Sequence, residues 1–530
     1  MVSINSTRSR LLLVLLSVAL LSAGWLGLSG LTELVALVPL LIISEGYGSS
    51  ARDWWRMLGW AALTFLLWSA ATIWWVWIAT PLGPIAAGVV GTFYNLCAVM
   101  TYHYVAKRAP RALAYTLLVT VWIATEWAYN SADVMSFPWL LLGQGLARDV
   151  WAVQWYEYTG VFGGTLWVLV TNVAIFEMWR VGGKSARLRA VLIATLPMLF
   201  SAVLYLRYEP SAEEAQVAVV QPNVPCYEEE RAESNIGSTR ENLRELLAEV
   251  EEGCLFVLMP ESALAYLPEV SSMDEAAVDM YQPLLRYMSG EGDDAAKYIY
   301  GASTSRFYGA EPATTTARYN DFYGWYDRFN SALLVNCRGE VESIYHKGRL
   351  VIGVEAIPFK GLFDLFEVDL GGISGQLGWG ERYVLFENCG VEIGPAICYE
   401  GLYGEYYAGF VKAGATVMGV ISNDGWWGDT LGHRRLYDFC RLRAIETRRA
   451  IARSANTGIS GFISPRGDSL VEPLEWNERG VLTADVELRR EKTIYVEYGD
   501  WVARVSTYIA VLSLFYYVAY RVRRRNHLVD

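Results

Sequence analysis

Gly394-Pro395-Ala396-Ile397-Cys398-Tyr399-Glu400 closes an apolar run on a cysteine and an acid, and the reading of this stretch decides the fold. Val391–Ile397 reads as a buried strand, being short, apolar and bounded by turn residues. A cysteine just past its last residue stands where α/β proteins build their sites, at the C-terminal end of a strand. Two upstream stretches have the same grammar. Leu258-Met259-Pro260-Glu261-Ser262 stops a strand with a proline, which has no N–H to give the ladder, and turns a carboxylate out at its end. Tyr345-His346-Lys347-Gly348-Arg349-Leu350 ends another strand on a lysine before a glycine.

Taken singly, each residue has an ordinary explanation: a small core cysteine, the start of a helix, a surface lysine. Together they make a reacting set. A thiol with a pKa of ~8.5 is only a few per cent thiolate at neutral pH, so a strong nucleophile needs a base, a nearby cation, or both. Glu261 is suited to the first task and Lys347 to the second. The same ammonium, with the backbone N–H of Tyr399, can hydrogen-bond the oxyanion formed when a carbonyl is attacked. No histidine is required.

Around these residues, between Arg207 and Trp501, short β-rich runs alternate with amphipathic ones. Gln216–Gln221, Leu255–Met259, Tyr298–Ala302, Ser331–Asn336, Val341–Tyr345, Glu392–Ile397 and Thr416–Ser422 read as strands. Ser238–Glu252, Glu275–Met288 and Arg434–Ile451 read as helices, with apolar residues at spacings of three and four. The alternation predicts buried strands covered by helices.

Outside this block the chain is of another kind. Apolar runs near Leu11–Leu28, Leu31–Ile43, Met57–Ile78, Ile85–Ala106, Ala112–Tyr129, Phe162–Trp179 and Ala190–Leu206 precede it, and Val502–Tyr520 follows. Most approach the roughly 20 residues that cross a bilayer; the second is shorter. Arg8 and Arg10, Arg52 and Arg56, Lys107, Arg108 and Arg111, Arg180 to Arg189, and Arg521 to Arg525 fall at alternate ends of the runs. The intervening loops carry almost no basic residue apart from Arg148. The positive-inside rule then puts both termini in the cytoplasm and the polar block outside it, which eight spans satisfy and seven do not. A cleaved signal peptide is the alternative for the first run. Tryptophans such as Trp54, Trp55, Trp74, Trp75, Trp77, Trp151 and Trp155 near run ends suit the interface. The expected division is a membrane domain over 1–206, a linker over 207–215, an α/β catalytic domain over 216–500, and a last membrane helix with a basic tail over 501–530.

Composition agrees with two parts. Of 530 residues, 53% are hydrophobic and 21 are tryptophan, too apolar for an ordinary soluble enzyme. The formal charge of -12 argues against a nucleic-acid partner. Seven cysteines with no CxxC pair, and only four histidines, offer no zinc set, so no metal is expected. An odd cysteine count leaves at least one free thiol even in an oxidising compartment.

Met259-Pro260-Glu261, His346-Lys347-Gly348-Arg349-Leu350-Val351 and Ile397-Cys398-Tyr399-Glu400 resemble the three signatures of the nitrilase superfamily. Joined to spans on both sides, they resemble its membrane-embedded family, the apolipoprotein N-acyltransferases. Val219-Val220-Gln221-Pro222-Asn223, Phe329-Asn330-Ser331, Ser422-Asn423-Asp424-Gly425-Trp426-Trp427-Gly428 and Ala455-Asn456-Thr457-Gly458 extend the resemblance over nearly the whole chain. It implies a multi-span α-helical membrane domain plus an α/β nitrilase-like domain, an αββα sandwich. It implies Cys398 as nucleophile, Glu261 as general base, Lys347 as oxyanion donor and Glu355 as a second carboxylate holding the lysine. Tyr399, Glu400 and Trp426 match family site positions, as structural residues or as substrate contacts. No cofactor is implied. The donor would be a phospholipid, commonly phosphatidylethanolamine, and the acceptor a diacylglyceryl apolipoprotein. The implied place is the bacterial cytoplasmic (inner) membrane, with the catalytic domain on the periplasmic side. Two half-reactions through one cysteine predict ping-pong kinetics.

The chain departs from the family in reading Ile352-Gly353-Val354, not Pro-Phe-Gly, before Glu355. Gly371-Gly372-Ile373-Ser374-Gly375-Gln376-Leu377-Gly378 lacks the Lys-Ser/Thr of a phosphate loop and reads as a flap over the lipid opening, or as a plain glycine-rich surface loop. Readings of another class are a membrane-anchored nitrilase-type amidase, with water as acceptor, and a transporter or scaffold carrying an inert domain.

Overall fold

The computed structural model describes residues 6–132, 136–227, 239–267, 270, 272–289, 296–356, 376–380 and 382–526. Two compact units divide the chain, one of 1–77, 81–207 and 498–530, the other of 78–80 and 208–497.

The first unit is helical. Five of its helices, Ala51–Ile73, Gly83–Ala106, Val161–Val181, Lys184–Leu206 and Trp501–Arg525, are long and apolar enough to cross a membrane among the described residues. The expected count was eight, and the other three runs fall short for visible reasons. Thr7–Ser22 has 16 residues. The second run is broken into Glu33–Ala36 and Val38–Glu45 around Pro39. Arg111–Ser131 is long, but Arg111 and a buried Glu126 reduce its apolar character.

Basic helix ends meet at one end of this unit. Arg10 donates to the Tyr47 hydroxyl at 2.8 Å, Arg111 and Lys107 pair with Glu45, and Arg180 pairs with Glu177, which also receives the Tyr115 hydroxyl. Tyr517, near the end of the last helix, packs edge-on against Tyr104 with centroids 6.2 Å apart. That helix starts elsewhere, where the Trp501 indole N–H donates to the carbonyl of Tyr158 at 2.8 Å. The segment 136–160 and the basic connections are therefore at different ends of the helices.

The second unit is a sandwich of two sheets. Its strands are β1 (Glu214–Gln221), β2 (Phe256–Leu258), β3 (Met273–Asp274), β4 (Lys297–Gly309), β5 (Arg318–Asn320), β6 (Gly324–Asn336), β7 (Val341–His346), β8 (Phe386–Asn388), β9 (Val391–Ile397), β10 (Val417–Ser422), β11 (Ile451–Ala455), β12 (Gly461–Ile463) and β13 (Gly480–Glu487). One sheet runs β13-β1-β2-β4-β6-β5, with β3 on β4 and β7 on β6; the other runs β12-β11-β10-β9-β8. Of the strands that carry the predicted site, β2, β9 and β10 are interior, whereas β7 pairs only with β6. β1, β2 and β4 are parallel neighbours, as are β9, β10 and β11, and all are buried. This is why they read as continuous apolar runs and not as alternating ones.

The inner faces of the sheets meet closely. A Cβ on Gly419 of β10 would lie 3.0 Å from the Leu258 side chain of β2, and Ser454 of β11 donates to the carbonyl of Val220 of β1 at 2.7 Å. On the outer face of the first sheet, Leu243, Leu246 and Leu247 of helix Thr239–Leu247 and Leu285 and Met288 of helix Gln282–Ser289 join Val257, Tyr298, Tyr300 and Leu333 in one buried cluster. Helices Gly404–Ala413 and Leu431–Thr447 belong with the second sheet. The expected helix Arg434–Ile451 is corrected at its end. Arg448 takes a left-handed φ of 48°, which caps the helix at Thr447, and Ile451 already opens β11.

Candidate active site

Both sheets contribute to one buried cluster at the ends of their strands. From the first come Glu261, three residues past β2, and Lys347, immediately past β7. From the second come Cys398, immediately past β9, and Asn423, immediately past β10. Pro260 ends the β2 ladder, whose last backbone bond is Met259 N–H to Ile299 O at 2.8 Å. Ser262 then turns with φ 65°, aiming Glu261 inward. The backbone of 260–262 lies directly on β4: a Cβ on Gly301 would fall 2.4 Å from Pro260 O, 2.5 Å from Glu261 Cα and 2.6 Å from Ser262 N. Only glycine allows that approach.

Lys347 Nζ donates to Glu261 Oε1 at 3.0 Å and to Glu355 Oε1 at 2.9 Å. The lysine is 1% exposed, so this is a buried ion triad and not a surface bridge. Asn330 Nδ2 donates to the same two oxygens at 2.6 and 2.8 Å. The remaining oxygens are held by backbone, Glu261 Oε2 by Asn423 N–H at 2.9 Å and Glu355 Oε2 by Val351 N–H at 2.7 Å. The turn Ile352-Gly353-Val354, where the chain leaves the family pattern, is closed by Glu355 N–H to Val351 O at 2.8 Å, with Gly353 at φ 87°. It still delivers Glu355 to the lysine.

Cys398 is buried and has φ 48°, a left-handed conformation that a side chain adopts at a cost. That bend ends β9 and starts the short turn Cys398–Leu402. Glu400 holds the bend. Its Oε2 accepts from Ile397 N–H at 2.7 Å, and its Oε1 accepts from the Tyr345 hydroxyl at 2.6 Å and Gly348 N–H at 2.7 Å. One carboxyl thus ties the end of β9 to the end of β7 and sets Cys398 against Lys347. Burial pushes the Glu400 carboxyl up to about 7 despite these donors.

Burial, then the Glu261 charge, pushes the Cys398 thiol well above its ordinary range, and Lys347 offsets this only in part. Burial alone would discharge Lys347, yet Glu261 and Glu355 outweigh it and hold the ammonium proton above the ordinary lysine range. The resting site is therefore a neutral thiol beside a permanent ammonium.

Of the other expected positions, Tyr399 is buried and packs edge-on against Tyr403. Trp426 is half-buried and meets Tyr227 at 5.5 Å. The glycines of the expected flap, Gly371 to Gly375, lie outside the described residues; beyond them Leu377 N–H donates to Glu355 O at 2.9 Å. None of the seven cysteines is in a disulfide, and no group able to hold a metal ion occurs among the described residues. Asn330 and Asn423 were quoted in motifs without a site role. The signal was there, since asparagine is disfavoured inside a strand such as β6 unless its amide has a task. Asp424, paired with Arg453 at 2.8 Å beneath the site, was equally unassigned.

Comparison with known proteins gives matching families for both units. The carbon-nitrogen hydrolase model matches residues 216–494, and the apolipoprotein N-acyltransferase N-terminal domain model matches residues 12–174. The apolipoprotein N-acyltransferase of Chlorobaculum tepidum is 30% identical over 91% of this chain and 90% of its own. That of Thermotoga maritima is 25% identical over 92% and 90%. Among solved structures, an amidase from Nesterenkonia sp. aligns with 54% of this chain and 94% of its own, at 17% identity and a TM-score of 0.35.

Proposed function

Because the chain belongs to the apolipoprotein N-acyltransferase family, we propose that it moves an acyl chain from a phospholipid, through a thioester on Cys398, to the N-terminal amine of a diacylglyceryl lipoprotein. The observation that carries this reading is the Lys347 ammonium held between Glu261 and Glu355 beside a strand-end cysteine.

Two carboxylates facing one ammonium already leave surplus negative charge, so a preformed thiolate is disfavoured. The proton leaves Cys398 Sγ for Glu261 as sulfur bonds to the ester carbonyl carbon. Two protons of Lys347 are committed to Glu261 and Glu355, which leaves the third for the oxyanion, with the backbone N–H of Tyr399 as second donor. Collapse breaks the ester C–O bond. The lysophospholipid oxygen takes the proton from Glu261, and the acyl group stays on sulfur. In the second half, the lipoprotein amine attacks the thioester carbon, Glu261 accepts a proton from nitrogen, and C–S cleavage returns that proton to Cys398. Glu355 keeps Lys347 charged and aimed throughout. Phosphatidylethanolamine is the proposed donor.

Both substrates are lipids, and each methylene drawn from the bilayer costs about 0.8 kcal/mol. Membrane helices on both sides of the catalytic unit spare that extraction. The basic residues gathered at one end of the helices support an inner-membrane protein with a periplasmic catalytic unit.

The test uses alkyne-tagged phosphatidylethanolamine and mass analysis of the peptide carrying Cys398. An acyl mass should appear on Cys398, persist without acceptor, leave when a diacylglyceryl peptide with a free amine is added, and be absent from Cys398→Ala. No acyl mass on Cys398, or equally fast loss to water, refutes the proposal, and the second outcome favours an amidase.

A further inference from the structure

A cavity of about 30 Å³ in the helical unit is lined by Ser69, Gly91, Tyr94, Asn95, Glu126 and Tyr129, from the helices Ala51–Ile73, Gly83–Ala106 and Arg111–Ser131. Glu126 is 6% exposed. Its Oε1 accepts from the Trp122 indole N–H at 2.9 Å and Leu142 N–H at 3.0 Å, and its Oε2 accepts from the Thr165 hydroxyl at 2.8 Å. Three donors suit a carboxylate, yet no lysine or arginine pairs with it among the described residues. Glu33, buried with neither carboxyl oxygen hydrogen-bonded, lies within electrostatic reach and brings a second acid without a base. An ionisable residue within a membrane helix is costly, and such residues mark functional paths.

The walls say which cation fits. Tyr94 and Tyr129 both line the cavity and pack on one another, ring centroids 4.9 Å apart and tilted by 30°, so one aromatic surface stands beside the carboxylate, a combination that suits an ammonium. A primary ammonium can donate N–H bonds to Glu126, which neither a phosphate nor a trimethylammonium can do. Gly91 lines the cavity beside open space, since a Cβ there would meet only Tyr129 Cε1, at 4.0 Å, so a larger side chain at this position would enter it. Glu126 lies five residues before the helix end at Ser131, about 7.5 Å along the axis, at the end that leads into the 132–160 connection. That depth is close to the headgroups.

We propose that this cavity binds the primary ammonium group of a lipid substrate, with Glu126 as countercharge and Tyr94 and Tyr129 as aromatic walls. Calling the lipid a substrate rests on the acyl-transfer reading. Two sources carry this group, an ethanolamine headgroup and the α-ammonium of the lipoprotein acceptor.

The experiment measures retained lipid by native mass spectrometry on the full chain in the Cys398→Ala background, where no lipid is cleaved. Equimolar phosphatidylethanolamine, phosphatidylglycerol and phosphatidylcholine are offered, and in a second arm a diacylglyceryl peptide with a free or an acetylated amine. Preference for the primary ammonium in either arm, about five-fold or more, is expected, and the arm in which it appears names the source. Glu126→Gln, which keeps the shape, and Gly91→Leu, whose side chain enters the cavity, should each bring that preference close to one-to-one. No preference in either arm, or a preference that survives in both variants, overturns the proposal. Failure of the acyl-transfer reading is seen separately, as absence of an acyl mass on wild-type Cys398.

Discussion

Gly301→Ala is the substitution that most directly tests how Glu261 is placed. The added Cβ would sit 2.4 to 2.6 Å from three backbone atoms of residues 260–262, against an ordinary contact of 3.4 Å. The deficit is 3.4 − 2.6 to 3.4 − 2.4, about 0.8–1 Å, and one side must move. β4 cannot easily do so, because Gly301 lies within its long ladder with β6, opposite Ala332. The 260–262 segment can, because the β2 ladder has already ended at Leu258 opposite Ile299. Glu261 is therefore pushed by nearly 1 Å from Lys347, now 3.0 Å away. A misplacement of about 1 Å costs roughly 10²-fold in rate, and such overpacking costs about 1–3 kcal/mol of stability. The assay is single-turnover acylation of Cys398 by tagged phospholipid, beside a melting curve. Acylation should slow by about two orders of magnitude while the protein still melts cooperatively. In a Glu261→Gln background the same change should add less than about two-fold, because the base is already gone. A folded Gly301→Ala protein acylating within about three-fold of wild type, or an additive loss in that background, would refute the reasoning.

Removing the Glu261 charge should also be visible at sulfur. Since that charge raises the Cys398 pKa, alkylation of Cys398 in Glu261→Gln should move to lower pH even as acylation is lost; a move to higher pH would contradict the assigned electrostatics. Lys347→Met leaves two buried carboxylates without their cation and should cost about 3–5 kcal/mol of unfolding free energy in denaturant titration. A loss of activity with unchanged stability would mean that the triad is not a buried ion cluster. Glu400, raised from 4.5 to about 7, binds more protons folded than unfolded, so its contribution to stability is full below pH 4.5 and declines as pH rises through 7. Glu400→Gln should remove that decline from melting temperatures measured between pH 4.5 and 7.5; an unchanged slope in the variant sinks the assignment.

The strands that read as unbroken apolar runs were legible because they are buried on both faces: β1, β2, β9 and β10 lie within a few residues of their expected bounds. β12 and β13, short or half-exposed, have no such signature. The helix expected to continue to Ile451 shows where periodicity misleads, since Ala450 and Ile451 suit a helix face as well as a buried strand and only the backbone turn at Arg448 separates them. In the cluster, Glu261, Lys347 and Cys398 were found through their motifs. What the sequence could not display was how each is held, because Asn330, Asn423 and Glu400 act on residues 25 to 162 positions away or across sheets. The paired acids of the helical unit were illegible for the same reason, since Glu33 and Glu126 stand apart in sequence.

Glu400 joins the tip of a strand in one sheet to the tip of a strand in the other, as Asn423 does through Glu261, and these links make the proposed reactivity conditional on the two layers being docked. When the layers part, the sulfur loses its neighbours Lys347 and Glu261 in the same event. On the proposed mechanism a half-opened molecule would therefore fall silent, carrying an inert thiol and no stray lipase activity toward the phospholipids around it.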